Sequence, residues 1–476
     1  MLLNFINRLF LKYYVNRLRL QSHFIEELNK NMQKKRLLLC MLSVLVTTIA
    51  LSVSGVVMAQ PVEISFWHAM SGNNGEKVTA LVAAYNASQS DVVVVEQNKG
   101  NYNETLNAVI QAAGQQQGPN IAQIFDLGTP LAIDSGFFTP VEDLLTAEEL
   151  EAIKADVLPP LISYFSVGGK LNSIPWNNST PLFYYNKDMF TAAGLDPEKP
   201  PTTWQELEAA CEAIKAANAA PNCISMQIYG WYFEQWMALQ NQELANNGNG
   251  RDDRATETNF TSDAAKNIMT FWKDLNDKGY WTYTGKLHDN QGANQIFIAK
   301  QAAMIVESTG ALGTFTTGAE TSGFQLGTGF FPANGDIDRA GVIIGGASLW
   351  IGAGHPDEQN QAAVNFIKWL LAPEQMTVWH KGTGYLPITL SSQEALEAED
   401  YFTSHPGQKT AIDQLAAVNG SSATAGAIMG PFPQIRDITE QAIQAVANGE
   451  DIDTVLASAK EQSDAALADY NSRLSP

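Results

Sequence analysis

Short strand patterns alternate with helical patterns over the first part of the chain, and this alternation limits the possible folds more than any other feature. Val62 to Trp67 and Asp91 to Glu96 have the composition of strands, and Gly75 to Tyr85 between them has helical spacing. A helical pattern at about 103–114 and a strand pattern at Ile121 to Phe125 continue the series. Repeated strand–helix units predict an α/β fold with a mostly parallel sheet.

The later part of the chain continues the mixture of strands and helices. Leu182 to Tyr185 has a strand pattern that begins another lobe, and Thr203 with Glu206 has the spacing of a helix capping box. Two long helical patterns, at about 434–448 and 452–472, end the chain. The length beyond residue 59, at roughly 150 residues per domain, indicates two or three domains.

The N-terminal segment has the features of an export signal. A basic group, Lys34 to Arg36, precedes an apolar run from Leu37 to Val57, and Val57 and Ala59 supply the small residues at the −3 and −1 positions of a cleavage site. This order predicts a signal peptide that is cleaved after Ala59, although the run is long enough for an uncleaved membrane anchor. Cys40 leaves lipid anchoring as a minor alternative. We therefore interpret residues 1–59 as an N-terminal extension and signal peptide.

Charge is distributed unevenly along the chain. Residues 1–59 contain eight of the 29 Lys and Arg residues but two of the 50 Asp and Glu residues, so the remainder carries a formal net charge of −27. Binding to a phosphate backbone requires a basic surface. The sequence therefore argues against a nucleic-acid partner.

Two cysteines follow the apolar run, Cys211 and Cys223. In an oxidising compartment two cysteines at this spacing can form a disulfide that closes a short loop. Cys211 also lies on the apolar face of a predicted helix, where a buried thiol is the alternative.

The common motifs of secreted enzymes are missing from the sequence. There is no Gly-x-Ser-x-Gly elbow, no His-Glu-x-x-His and no phosphate-binding loop of the Gly-x-x-x-x-Gly-Lys type. We accordingly assign no catalytic residue, no metal ligand and no cofactor. Export, an acidic composition, an α/β pattern and the absence of these motifs are together typical of binding proteins whose ligand lies between two lobes.

Several stretches of sequence resemble one family of binding proteins. The chain is similar to the extracytoplasmic solute-binding proteins of sugar-type ABC importers, and in particular to those that bind glycerol-3-phosphate and glycerophosphodiesters. The stretches that carry the resemblance are Ser65 to Gly72, Lys99 to Tyr102, Asn178 to Pro181, Tyr184 to Asp188, Ile343 to Trp350, Thr383 to Thr389 and Pro433 to Arg436.

The resemblance implies two α/β lobes joined by crossing strands, with a ligand cleft between them. The first lobe would contain residues 60–175 and 345–385, and the second would contain residues 180–340 and 387–476. Each lobe is therefore expected to be built from two separate segments of the chain.

The resemblance also implies a set of ligand contacts. They fall on Tyr102, Asp126, Ser179, Trp231, Ser308, Gly346, Tyr385 and Arg436. Hydroxyl groups, a closely approaching backbone N–H and an arginine fork are suited to the oxygens of a phosphate group. Each residue also has an ordinary structural explanation: Arg436 could pair with a neighbouring acid, and Asp126 could cap a helix.

Two positions differ from the family pattern. Asp126 stands where the pattern has glutamate, so its carboxylate is one methylene shorter. The second lobe of the family has two nearby tryptophans, whereas this chain has the aromatic segment from Tyr229 to Trp236. We assign one ring of the cleft to Trp231 and expect Tyr232 or Phe233 to supply the other. Such rings would also suit the choline group of glycerophosphocholine.

The function that the resemblance implies is ligand capture without chemistry. The protein would be a periplasmic, monomeric receptor that delivers glycerol-3-phosphate or a glycerophosphodiester to an ABC permease driven by a separate ATPase subunit. A receptor for an unphosphorylated oligosaccharide is the alternative within this class. A secreted phosphodiesterase or glycosidase is the alternative from another class.

Overall fold

The computed structural model describes residues 60–474 and, before them, residues 15, 17, 19, 22, 23, 25–36, 38, 39 and 41. The chain divides into two units, Met1–Gln60 and Pro61–Pro476. In the first unit, residues 25–36 are helical and exposed. The predicted cleavage site after Ala59 and Cys40 lie outside the described residues. None of the helices in the described part of the chain is long and apolar enough to cross a membrane.

Thirteen strands are found in the described part of the second unit. They are β1 Val62–His68, β2 Val92–Asn98, β3 Ile121–Phe125, β4 Phe138–Thr139, β5 Ser166–Val167, β6 Lys170–Leu171, β7 Ile174–Ser179, β8 Pro181–Asn186, β9 Asn222–Ser225, β10 Trp281–Thr282, β11 Ala302–Ser308, β12 Leu326–Phe330 and β13 Gly345–Gly352. One sheet has the order β2-β1-β3-β13-β4, with β7 also pairing with β13. A second sheet has the order β10-β9-β11-β8-β12, and β5 pairs with β6.

Helices surround both sheets. They are α1 Gly72–Ser88, α2 Tyr102–Gly114, α3 Thr129–Ser135, α4 Ala147–Asp156, α5 Pro159–Phe165, α6 Lys187–Ala192, α7 Trp204–Ala216, α8 Gly230–Leu239, α9 Asp263–Asp277, α10 Asn290–Ile298, α11 Leu312–Ser322, α12 Asp357–Leu371, α13 Pro373–Thr383, α14 Leu390–Ala398, α15 Tyr401–Ser404, α16 Pro406–Ala416, α17 Ser422–Ala425, α18 Phe432–Ala447 and α19 Ile452–Leu474. Short 3₁₀ helices cover Asp126–Gly128, Val141–Leu144 and Thr309–Ala311. Asn246–Gly250 forms one turn with left-handed residues.

One strand in each of the two larger sheets runs against the others. β1 runs parallel to β2 and β3, but β13 runs antiparallel to β3, β4 and β7. In the second sheet, β8 is antiparallel to both β11 and β12. All other strands of these two sheets run in one direction within their sheet, so the prediction of a mostly parallel sheet is confirmed, with β13 and β8 as the exceptions. The chain enters β13 and β8 from the other sheet, so no crossover helix within one sheet requires these strands to be parallel.

The chain crosses between the two sheets once through a very short connection and once through a longer one. β7 ends at Ser179 in the first sheet and β8 begins at Pro181 in the second, so Thr180 alone lies between them. The chain returns to the first sheet between Phe330 and Gly345. β7 runs beyond residue 175, where the first lobe was expected to end. The lobe boundaries given above remain predictions.

A capping box fixes the start of the helix that contains Cys211. Thr203 accepts a hydrogen bond from the backbone N–H of Glu206, and the Glu206 side chain reaches back, which is the predicted capping box at the start of α7. Cys211 in this helix is bonded to Cys223 in β9, with a Cα–Cα distance of 5.2 Å. The bond ties α7 to the second sheet.

Candidate ligand-binding cleft

A cavity of about 1010 Å³ lies among elements of both sheets. Its walls include all of the residues that the family resemblance assigned to ligand binding: Tyr102, Asp126, Ser179, Trp231, Ser308, Gly346, Tyr385 and Arg436. A cavity of this size is at the upper end of the range for small-molecule sites. The structure therefore brings these eight residues together, and their roles in binding remain a prediction.

Two tyrosine hydroxyls meet on one wall of the cavity. The Tyr102 ring stacks on Phe125 with centroids 5.3 Å apart, and the Tyr385 ring stacks on Trp379 at 5.4 Å. Their hydroxyl oxygens are 3.4 Å apart, and Asn177 donates a hydrogen bond of 2.8 Å to that of Tyr102. Burial raises the pKa of both phenols, so both remain neutral and can donate to a ligand oxygen.

Asp126 lies directly after β3, where a 3₁₀ helix begins. Burial raises the pKa of its carboxyl group to about 7, even though the charge of Arg436 acts in the opposite direction. At neutral pH the group can therefore either accept or donate a hydrogen bond. The end of a central strand is a common place for a ligand-binding side chain in α/β proteins.

Gly346 brings backbone rather than a side chain to the cavity. Its φ angle is +97°, and a Cβ atom built here would lie 2.1 Å from the carbonyl oxygen of Asn177. No other residue type fits this conformation and this space. The close packing of β13 against β7 thus depends on the missing side chain.

Ser308 ends β11 and has a neighbour that sequence motifs did not indicate. Its Oγ accepts a hydrogen bond of 3.1 Å from Gly310 N–H, so the hydroxyl hydrogen remains for another acceptor. The carboxylate of Glu307 accepts from Ser308 N–H at 2.7 Å and from the Gln227 side chain at 3.0 Å. Glu307 and Gln227 also line the cavity, and burial raises the pKa of Glu307 to about 7.

Arg436 forms an ion pair at the cavity wall. Its Nε donates to Glu234 Oε1 at 2.8 Å and its Nη2 to Glu234 Oε2 at 2.6 Å, while Nη1 donates to the Tyr229 hydroxyl at 3.1 Å. Burial acts against the charge, but the carboxylate of Glu234 raises the pKa of the guanidinium. Three of the five N–H groups are used in these contacts, and two remain for a ligand.

Trp231 lines the cavity, with its indole 4% exposed. Its Nε1–H is buried and has no acceptor among the described residues. The ring packs against the backbone of Gly345, where an added Cβ would lie 2.5 Å from a ring atom. Trp231 therefore presents its ring, and not its N–H group, to the cavity.

The prediction that Tyr232 or Phe233 supplies the second ring of the cleft is wrong. Tyr232 and Phe233 are fully buried and do not line the cavity, because α8 is enclosed on all sides and these rings face its neighbours. The second ring is that of Tyr229, which precedes α8, lines the cavity and lies 6.2 Å from the Trp231 ring. Helical periodicity could not identify it, since Tyr229 lies before the first helical residue.

The charges around the cavity do not form a general positive field. Among the described residues that line it, Arg436 is the only Lys or Arg, whereas Asp126, Glu307 and Asp437 are acidic. An anion would therefore be held by short contacts with a few donors. Salt screening limits the repulsion from more distant acids.

Known proteins match most of this chain. Residues 80–410 match the family of bacterial extracellular solute-binding proteins. The chain is 34% identical to the sn-glycerol-3-phosphate-binding periplasmic protein UgpB of Brucella abortus over 430 residues, which covers 90% of this chain and 98% of that protein.

Solved structures show the same fold. The cyclic α-maltosyl-1,6-maltose binding protein of Arthrobacter globiformis matches with a TM-score of 0.68 and 26% identity, over 86% of this chain and 99% of that chain. UgpB of Mycobacterium tuberculosis, solved with glycerophosphocholine, matches with a TM-score of 0.70 and 20% identity, over 86% and 99%. The expected two-lobed α/β class, with a cleft and crossing strands, is thereby confirmed.

Proposed function

The chain belongs to the family of bacterial extracellular solute-binding proteins, and on that premise we propose that it is an ABC-importer receptor for glycerol-3-phosphate or a glycerophosphodiester such as glycerophosphocholine. The Brucella abortus relative, named for glycerol-3-phosphate binding, supports this ligand class. The relatives are named as binding proteins, so the function is capture and delivery without catalysis.

The observation that carries the proposal is the state of Arg436. Glu234 holds the guanidinium at the cavity wall, and two of the arginine N–H groups have no acceptor among the described residues. An arginine in this state is suited to two oxygens of one phosphate group. Hydroxyl donors from Ser308 and Tyr385 line the same cavity.

The glycerol part of the ligand requires contacts of another kind. Its hydroxyl groups require acceptors, which Asp126 and Glu307 supply, and its C–H faces suit the rings of Tyr102 and Trp231. The shorter side chain of Asp126, compared with the glutamate of the family pattern, is compatible with a bridging water.

The receptor would act by closing on its ligand. Gly346 lies in β13 of the first sheet and Asp126 directly follows β3 of that sheet, whereas Ser308 ends β11 of the second sheet. A ligand that contacts both sets stabilises the closed state by its greater affinity for that state. The closed receptor, a monomer exported to the periplasm, would then deliver the ligand to permease subunits driven by an ATPase.

An unphosphorylated oligosaccharide is the second candidate ligand. The observation in its favour is the size of the cavity, about 1010 Å³, which exceeds what glycerol-3-phosphate would fill. The Arthrobacter globiformis structure that shares this fold is named for binding a cyclic oligosaccharide.

Calorimetric titration of the purified full-length protein separates the two ligand classes. We would titrate glycerol-3-phosphate, glycerophosphocholine and maltose in parallel, and we expect saturable binding of a phosphate ester with no heat from maltose. Binding of maltose alone would contradict the proposal. Released choline after incubation with glycerophosphocholine would instead indicate a phosphodiesterase.

A further inference from the structure

A second group of polar side chains converges at the edge of the cavity. His288, Asp437 and Glu440 each offer one ligand atom, and these atoms all lie within 4.8 Å of one another. His288 Nε2 contacts Glu440 Oε2 and lies 3.9 Å from Asp437 Oδ1. Sequence motifs did not indicate this group, because His288 is far from the two acids along the chain.

The three side chains are held in place by their surroundings. Asp437 and Glu440 are three residues apart in α18, so they lie on the same face of the helix. Glu440 is 1% exposed, and its second oxygen accepts a hydrogen bond of 2.9 Å from Gly230 N–H. The backbone N–H of His288 donates to Ile228, and its ring lies against Tyr229 with centroids 5.5 Å apart.

The charge of this group calls for a cation. Arg436 is paired with Glu234, and Asp437 and Glu440 add two carboxyl groups beside this pair. The imidazole of His288 lies beside both of these acids, and no Lys or Arg within the described part of the chain forms an ion pair with either. Burying a carboxylate is costly unless a positive charge lies close to it, and a cation held among these three groups would supply one.

We propose that His288, Asp437 and Glu440 bind one divalent transition-metal ion, with Zn²⁺ as the best fit, at the edge of the ligand cavity. One imidazole and two carboxylates from two separate segments form a mixed nitrogen and oxygen set of the kind that Zn²⁺ accepts. Ca²⁺ and Mg²⁺ favour oxygen ligands alone. His288 and Asp437 both line the cavity, so a metal ion held by them would be reachable from it.

The metal site does not depend on the identity of the ligand in the cavity. It rests on the positions of three side chains and on their charges. A metal ion here would lie beside Arg436, so it can add affinity for an anionic ligand.

The test is a titration of the chelator-treated, full-length protein with ZnCl₂, followed by calorimetry and by metal analysis after gel filtration. We expect one Zn²⁺ per chain. His288→Ala and Asp437→Asn should each weaken Zn²⁺ binding at least about tenfold. His405→Ala is the matched control, since this exposed histidine lies outside the cluster, and it should leave the affinity unchanged.

Two of the substitutions are chosen because the variant proteins should still fold. Asp437 is more than half exposed, so its change to asparagine is compatible with folding, and Glu440→Gln keeps the acceptor for Gly230 N–H. The proposal is overturned if Zn²⁺ shows no saturable binding, or if the His288→Ala, Asp437→Asn and Glu440→Gln proteins bind it as the unchanged protein does. Equal binding of Mg²⁺ that His288→Ala leaves unaltered would also overturn it.

A parallel titration of the same samples with glycerol-3-phosphate separates the two proposals. Binding of the phosphate ester by a protein that takes up no Zn²⁺ would overturn the metal site alone. A protein that binds Zn²⁺ but does not bind glycerol-3-phosphate would support the metal site and contradict the proposed ligand.

Discussion

The guanidinium of Arg436 and the carboxylate of Glu234 form a two-point ion pair in which each side chain is no more than 5% exposed, although 201 residues lie between them in the sequence. The arginine is therefore oriented before any ligand arrives. Pre-orientation lowers the entropy cost of binding. It also means that the two roles weighed for Arg436, pairing with an acid and binding a ligand, are compatible in one residue.

Replacing Arg436 by lysine should remove this orientation while keeping a positive charge. We expect the affinity for glycerol-3-phosphate to fall at least about 100-fold, since lysine lacks the fork that contacts two oxygens. Titration calorimetry measures the loss. Arg254→Lys is the control, because Arg254 makes a two-point pair with Asp134 at the surface, outside the cavity. Undiminished binding in the Arg436→Lys protein would contradict the assignment.

Replacing Arg436 by alanine should damage the fold as well as binding. Glu234 would then be buried without a partner, which costs about 3–5 kcal/mol in comparable buried pairs. Adding Glu234→Gln to Arg436→Ala should restore part of this stability without restoring binding. Thermal denaturation followed by circular dichroism distinguishes the two effects.

Asp126 should contribute less to the stability of the protein as the pH rises from about 4 to about 7. Burial raises the pKa of Asp126 from 3.8 to about 7, so in this range the folded chain keeps a proton that the unfolded chain has lost. A pKa difference of one between the two states is worth about 1.4 kcal/mol. Urea unfolding at several pH values measures the slope.

Asp126→Asn should remove this contribution, because asparagine does not titrate, so the free energy of unfolding of the variant should fall less, or rise more, with pH than that of the unchanged protein. Glu307, whose pKa is also raised to about 7, acts in the same direction as Asp126, whereas His380, whose pKa burial lowers to about 4, acts in the opposite direction. Asp91→Asn, at an exposed position, is the control and should not change the pH dependence. A slope that is the same with and without Asp126 would show that its carboxyl group does not keep a proton in the folded chain.

Gly346→Ala should lower both stability and ligand affinity. The new methyl group would meet the Asn177 carbonyl at 2.1 Å, so β13 would have to move away from β7. Gly354→Ala is a matched control, because Gly354 has a φ of +84° but nothing within 4 Å of the added atom. We expect about 1 kcal/mol of destabilisation in the control and at least about 3 kcal/mol at Gly346. Equal effects would contradict the close approach.

The Cys211–Cys223 bond should contribute to stability but not to binding. Removing both cysteines as Cys→Ala should lower the free energy of unfolding by about 2–3 kcal/mol, the value usual for a short closed loop. Neither residue lines the cavity, so ligand affinity should remain the same. Treating the unchanged protein with a reductant should reproduce the loss. A reductant that has no effect would indicate that the thiols are not bonded in solution.

Local patterns predicted elements well where one stretch of sequence determines its own structure. The strand at Ile121–Phe125 and the capping box of Thr203 and Glu206 occur as expected. The direction of β13 depends on how the chain crosses between sheets, which residue periodicity does not contain. Patterns of this kind therefore predict elements better than they predict sheet direction.

The cavity was predictable where short motifs carry its residues, and less so elsewhere. The segment Pro433 to Arg436 indicated the arginine, but its partner Glu234 lies in a distant, fully buried helix. Glu307 was missed although it adjoins Ser308, because a single acid at a strand end has no distinctive spacing. Contacts between residues distant in the sequence are the part that sequence patterns leave out.

The crossing at Thr180 has a consequence for insertions and deletions. β8 pairs with β11 on one side and β12 on the other, and all six of its residues are buried. One residue inserted after Thr180 would shift β8 by one position and exchange the faces to which its side chains point. The chain length at this crossing is therefore fixed by the register of β8, whereas loops outside the sheets are not held in this way.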